Sequence, residues 1–150
     1  MMASQYAATR TSSSLRQAQE HVSAVLAGFD VAFLPENCRV AHMRRITSAH
    51  LRYWDLDALA DSATVVVSEL VTNAIQHGQG PVGLRVTRST HELRIEVTDR
   101  TPAPARMRCA DAADESGRGL LLVDALSDDW GVSPDGTTTW ATFAFPIGRP

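Results

Sequence analysis

The stretch Ala58-LADSATVVVSELVTNAIQH-Gly78 decides how this chain is read. At about 100° per residue, with Glu69 at zero, Leu56, Leu59, Ala63, Val66, Val67, Leu70 and Ala74 fall within an arc of roughly 60° to 160°. Such an arc is the buried face of an amphipathic helix, with Asp55 or Asp57 available as a cap and Gly78 where helices prefer to end. Glu69, however, sits at the edge of the arc, Asn73 near about 40° and His77 near about 80°. A buried polar group without a partner is costly, so these three need an explanation. His77 is read as a packed histidine at the negative end of the helix dipole. Glu69 and Asn73, four residues apart on one side, could bond backbone at the sheet edge, but they are better read as a liganded site. The Asn73 carboxamide oxygen is a hard ligand suited to a magnesium ion that keeps most of its waters, and Glu69 can order or deprotonate a nucleophile.

Outward from this helix, Val40, Met43, Ile46, Leu51 and Trp54 recur near helical spacing in ENCRVAHMRRITSAHLRYW, leaving Arg44, Arg45 and Arg52 outside. VGLRVTR and LRIEVTD alternate apolar and polar residues around STHE, as an antiparallel hairpin does. Residues 100–116 read as a long loop, and RGLLLVDALSDD as a helix whose start follows Gly117 and Gly119. WGVSPDGTTTWATFAFP closes the chain with a hairpin turning at SPDG. At the other end, residues 1–14 read as a disordered polar tail, followed by a short helix from Leu15 that runs into the extended segment FDVAFLP. Residues 15–150 are therefore expected to form one domain. Strands joined by short turns imply a mixed, mostly antiparallel sheet with helices packed on one face, an α/β (α+β) two-layer sandwich rather than a doubly wound fold.

The totals narrow the function classes. A chain of 150 residues, 44% hydrophobic and 21% charged, is an ordinary globular domain. A net charge of -3, from 14 basic and 17 acidic residues spread along the chain, offers no field for a nucleic-acid backbone. Cys38 and Cys109 lack metal-ligand spacing and read as reduced thiols. The polar N-terminus has no signal-peptide core, and no run is read as long enough to cross a bilayer, so the expected location is cytoplasmic.

Two further features carry chemistry. Asp99 closes a strand in EVTDRTPAP. It is either a turn former or a fixed acceptor for an exocyclic amine such as that of adenine. In SGRGLLLVDAL, Gly117 and Gly119 precede an apolar helix, where backbone N–H groups and the helix dipole favour phosphate. Neither GxxxxGK[ST] nor a strand-following GxGxxG occurs, so any nucleotide is held by another scheme.

Together and in this order, ELVTNAIQH, VTDRTPAP and GRGLLLVDAL resemble the N-box and the two glycine boxes of the GHKL ATP-binding fold. The nearest resemblance is to the stand-alone bacterial branch of anti-sigma factor serine kinases, over about Pro35 to Pro146. The resemblance implies ATP and Mg2+ as cofactors. It makes Asn73 the metal-binding asparagine, Glu69 the activating glutamate and Asp99 the reader of the adenine amino group. Gly117 and Gly119 become the phosphate-loop glycines at the end of a lid spanning Arg100 to Ser116, and Thr138, or Thr137, becomes the threonine that backs Asp99. DRTPA replaces the commoner DxGxG and matches the D-x-S/T-P form of the anti-sigma branch. The implied activity is phosphoryl transfer to a serine or threonine of an anti-anti-sigma-like partner, with a sigma factor as a further client and a homodimer as the assembly. The rival reading is a non-catalytic ATP-sensing adaptor that switches protein partners.

Overall fold

The computed structural model describes residues 25–100 and 115–146, with backbone alone over 115–118. The expected N-terminal tail and helix, most of the long loop and Cys109 lie outside the described residues. Five strands, β1 (Ala27–Phe33), β2 (Val82–Arg88), β3 (Glu92–Thr98), β4 (Asp129–Val132) and β5 (Thr138–Ala144), form one sheet in the order β1-β2-β3-β5-β4. All four pairings are antiparallel. The expected sandwich is therefore found, with a sheet antiparallel throughout the described residues. The segment FDVAFLP becomes β1, an edge strand with Phe33 opposite Val82.

Three helices cover one face: α1 (Cys38–Tyr53), α2 (Asp57–His77) and α3 (Glu115–Leu126). α2 lies between the other two and contacts β2, β3 and β5. Its buried residues Ala63, Val66, Val67, Leu70, Val71 and Ala74 meet Val82, Leu84 and Val86 of β2, Leu93, Ile95 and Val97 of β3, and Ala141 and Phe143 of β5. Met43 and Leu51 of α1, Phe33 of β1, Leu56 and Val123 of α3 also belong to the core. Period-2 alternation places each strand's apolar set on this one face.

Three details differ from the sequence reading. At 21 residues, α2 is long and apolar enough to cross a membrane by length and composition alone, although no run was expected to be. Its buried face packs on the sheet of its own chain. Neither aspartate caps it: Asp55 takes a left-handed conformation (φ 57), Leu56 occupies the cap, and Asp57 sits in the first turn beside the positive end of the dipole. α3 starts at Glu115, so Gly117 and Gly119 lie inside its first two turns rather than ahead of it. Val123 and Leu126 pack inward and hold the helix against α2.

Gly78 ends α2 as expected, but for another reason. Its φ of -83 and ψ of 177 are open to any residue. What excludes a side chain is space, because a Cβ would strike Ala74 O and lie 2.9 Å from both Cβ and Cγ of Asp99. The β4–β5 turn is held by Asp135, whose carboxylate accepts bonds from Ser133 Oγ (2.6 Å), Thr137 N (3.1 Å) and Thr137 Oγ1 (2.9 Å). These bonds, that from Ser133 first, hold the Asp135 carboxyl below its ordinary value. Its stabilising contribution is full above the ordinary carboxylate range and is lost as pH falls through the lowered value.

Gly78→Ala is expected to destabilise the fold by about 2 kcal/mol, the usual cost of forcing a methyl into filled space. Urea denaturation reads this as a lower midpoint at unchanged slope.

Candidate functional site

The helical stripe that carries Glu69 turns toward α3. Glu69, Thr72, Asn73 and Gln76 recur at i, i+3, i+4 and i+7, so one face of α2 presents four polar side chains to one side. With Leu70 of α2 and Gly119, Leu120 and Val123 of α3, they line a cleft of about 150 Å³. That is room for a few groups of water or phosphate size, taking about 30 Å³ for each water, and not for a whole nucleotide.

Asn73 holds the most informative atom in the cleft. Its Oδ1 is buried and has no hydrogen-bond partner among the described residues. A buried acceptor left in this state costs about 1–3 kcal/mol. The amide oxygen is a hard donor of the kind that binds magnesium, and none of the described cleft-lining residues is cationic. The residues present therefore fit a divalent cation better than a bare anion. Among the described residues there is no group of three or more His, Cys, Asp and Glu to hold such an ion instead.

Glu69 faces Asn73's side of the cleft across from α3. A Cβ placed on Gly119 would lie 2.8 Å from Glu69 Oε2, so glycine at this position lets the two helices close on the carboxylate. Gly119 is buried, and Gly117 belongs to the first turn of the same helix. The structure thus brings Glu69, Asn73 and Gly119 together.

Asp99 is placed apart from that cleft, at the far end of α2. It follows β3 directly, is only 2% exposed, and its N–H donates to Thr137 O at 2.8 Å, prolonging the ladder between β3 and β5. Gly78 abuts its side chain. Arg100 N donates to Gln79 O at 3.1 Å and ties the strand's exit to the loop after α2.

The threonines considered as companions of Asp99 lie at different places in the sheet. Thr138 pairs with Thr98 on the sheet face turned away from the helices, and their hydroxyls lie 3.0 Å apart. Thr137 spends its hydroxyl on Asp135. Thr139, opposite Val97 and 2% exposed, is buried on the helix-side face that Asp99 shares. Strand alternation carries the signal, because Ala141 and Phe143 mark the inward parity and Thr139 falls on it. Thr72 and Gln76 were also missed, although their spacing from Glu69 gives their direction.

Comparison with known proteins comes to the same region. Residues 32–143 match a family described as the histidine kinase-like ATPase domain. Over 90 residues the chain is 41% identical to "Uncharacterized protein SCO4941" of Streptomyces coelicolor, covering 56% of this chain and 84% of that protein. The match spans most of the chain, including α1, α2, α3, β2, β3, β4, β5 up to Phe143 and the last two residues of β1. The chain belongs to the histidine kinase-like ATPase domain family.

Proposed function

We propose that this protein binds Mg-ATP between α2, α3 and the β3–β5 end of the sheet. We further propose that it transfers the terminal phosphoryl group to a serine or threonine of an anti-anti-sigma-like partner protein, in the manner of the anti-sigma factor kinases. Family membership suggests an ATP-binding regulatory role. The observation that carries the finer reading is the buried, unpartnered Oδ1 of Asn73 beside the Glu69 carboxylate.

Each residue has a separable task. Asn73 would supply the oxygen donor to the metal, and magnesium, when bound, would neutralise phosphate charge where the described lining of the cleft offers no cation. Glu69 is the base that receives the proton of the partner's hydroxyl. Gly117 and Gly119 allow backbone to approach phosphate at the start of α3. Asp99 accepts from the adenine amino group, with Thr139 beside it on the same face.

Calorimetry on the full chain should show ATP binding that requires Mg2+, and Asn73→Ala should remove the metal-dependent part. The absence of nucleotide binding by the unsubstituted chain would end this reading. Asp99→Asn should weaken ATP by about 10- to 100-fold, the worth of a hydrogen bond to a charged group. Thr139→Val should cost about threefold to tenfold, and Thr138→Val nothing measurable, if the inward parity is the right one.

For transfer, Glu69→Ala should keep ATP affinity and lose phosphorylation of the partner. If the unsubstituted chain binds ATP but transfers nothing to any anti-anti-sigma-like protein, the adaptor reading replaces the kinase. Gly119→Ala should lower transfer more than affinity, because its methyl would displace the Glu69 carboxylate. Equal losses in both would place Glu69 in binding rather than in proton transfer.

A further inference from the structure

Charge is unevenly placed in the helix layer. The chain carries 17 acidic and 14 basic residues, yet α1 holds Arg39, Arg44, Arg45 and Arg52 with no acid among its 16 residues. Arg39 reaches Glu36 at 3.9 Å. On the sheet, Arg85, Arg88 and Arg94 each donate to an oxygen, of Asp30, the Trp54 carbonyl and Glu96 in turn. Arg44, Arg45 and Arg52 are exposed, and none has a carboxylate within ion-pair distance among the described residues.

These three arginines share one stripe. With Ala41 at zero and about 100° per residue, Arg44, Ser48, Arg52 and Arg45 fall between roughly -60° and 40°. The buried Met43, Thr47 and Leu51 fall between roughly 200° and 280°. Between the stripe and α2 runs a groove of about 280 Å³, lined by Ala41, Arg44, Arg45 and Ser48 of α1 and Thr64 of α2. Thr64 spends its hydroxyl on Ala60 O and Asp61 O, at 2.8 and 3.0 Å. The two arginines are then the strongest donors of the groove. It lies on the α1 flank of α2, away from α3, and is independent of the Glu69 cleft.

We propose that this groove docks an acidic segment of a partner protein, whose carboxylates pair with Arg44 and Arg45. Charge complementarity names the occupant. Arg44 and Arg45 leave the helix about 100° apart, so they flank the groove instead of converging on one point. Carboxylates spaced along a chain suit them better than one small anion. Arg52, two turns on from Arg45, extends the stripe for a longer segment. The lining holds no large apolar side chain to enter a membrane, and a net charge of -3 gives nucleic acid no attraction beyond this patch. Exposed charge pairs set encounter rate and register more than affinity, so docking is weak and salt-sensitive.

The probe is a fluorescein-labelled deca-glutamate peptide, titrated with the full chain at low ionic strength and read by fluorescence anisotropy. Arg44→Ala with Arg45→Ala should weaken binding by about tenfold or more. Arg39→Ala with Arg85→Ala removes the same charge from paired positions and should leave affinity within about twofold. Ala41→Trp fills the groove at unchanged charge and should weaken binding severalfold. Far-UV circular dichroism checks each variant, and should the Arg44 and Arg45 double variant fail to fold, the two single substitutions and Ala41→Trp decide. Equal losses in the two double variants, undiminished binding by Ala41→Trp, or no binding by the unsubstituted chain would overturn the proposal. Tighter binding of inorganic phosphate, of a single-stranded DNA decamer or of phosphatidylserine vesicles than of the peptide would overturn it in favour of that ligand. Self-association of the chain that Arg44→Ala with Arg45→Ala abolishes would overturn it in favour of a second copy.

Discussion

The structure depends on one helix meeting two requirements at adjacent flanks. α2 must present apolar surface to β2, β3 and β5, because no other described helix touches the middle of the sheet to a comparable degree. About a quarter-turn away it must present Glu69 and Asn73 to α3. The Asn73 oxygen stays buried and unsatisfied because it is locked to the flank of a helix that the core holds in register. Rotating α2 to expose Asn73 would drag Val66 and Leu70 out of the core, and hydrophobic burial resists that far more strongly than one orphaned acceptor could drive it. The core therefore fixes a polar geometry that is unfavourable without a ligand.

Close approach is the second half of that arrangement. At two positions glycine removes a side chain where a polar group needs the room, Gly119 against Glu69 and Gly78 against Asp99. Neither depends on unusual backbone angles at Gly78, whose conformation is ordinary. Both act by subtraction, and they lie at opposite ends of the polar track along α2. The spacing between α2 and α3, and between the end of α2 and the end of β3, is set by these missing methyl groups together with the apolar packing around them.

Much of this was legible in the sequence. Periodicity gave α1, α2 and both hairpins, because each buries one face and the pattern of burial is written in residue type. The angular position of Asn73 was legible for the same reason. The threonine triplet was hard to read because Thr137, Thr138 and Thr139 are chemically identical; parity, fixed by Ala141 and Phe143 farther along the strand, separates Thr138 from the other two, and the bond from Thr137 Oγ1 to Asp135 separates Thr137 from Thr139. Gly78 was placed correctly on a conformational argument that does not apply, since the clash with Asp99 is a tertiary contact. The start of α3 was set too late because glycine disfavours helix locally, whereas packing of Val123 and Leu126 against α2 decides the outcome.

The position of the candidate site follows from the topology. In an antiparallel sheet the C-terminal end of one strand lies beside the N-terminal end of the next, so the exit of β3 meets the entry of β5. Asp99 meets Thr137, with Thr139 on the same face, for that reason, although about forty residues separate them in the chain. α2 delivers its C-terminal end to the same edge, since its last residue leads through a short loop into β2 opposite β3's exit, where Gly83 pairs with Thr98. Among the described residues, the opposite end receives the tight turn at Ser89, the start of β1 at Leu26, the entry to β4 at Asp128 and the end of β5 at Phe145. Polar groups from three elements converge at one end because the sheet order allows no other place for those chain ends, and the apolar middle of α2 then separates that end from the helix's first turn.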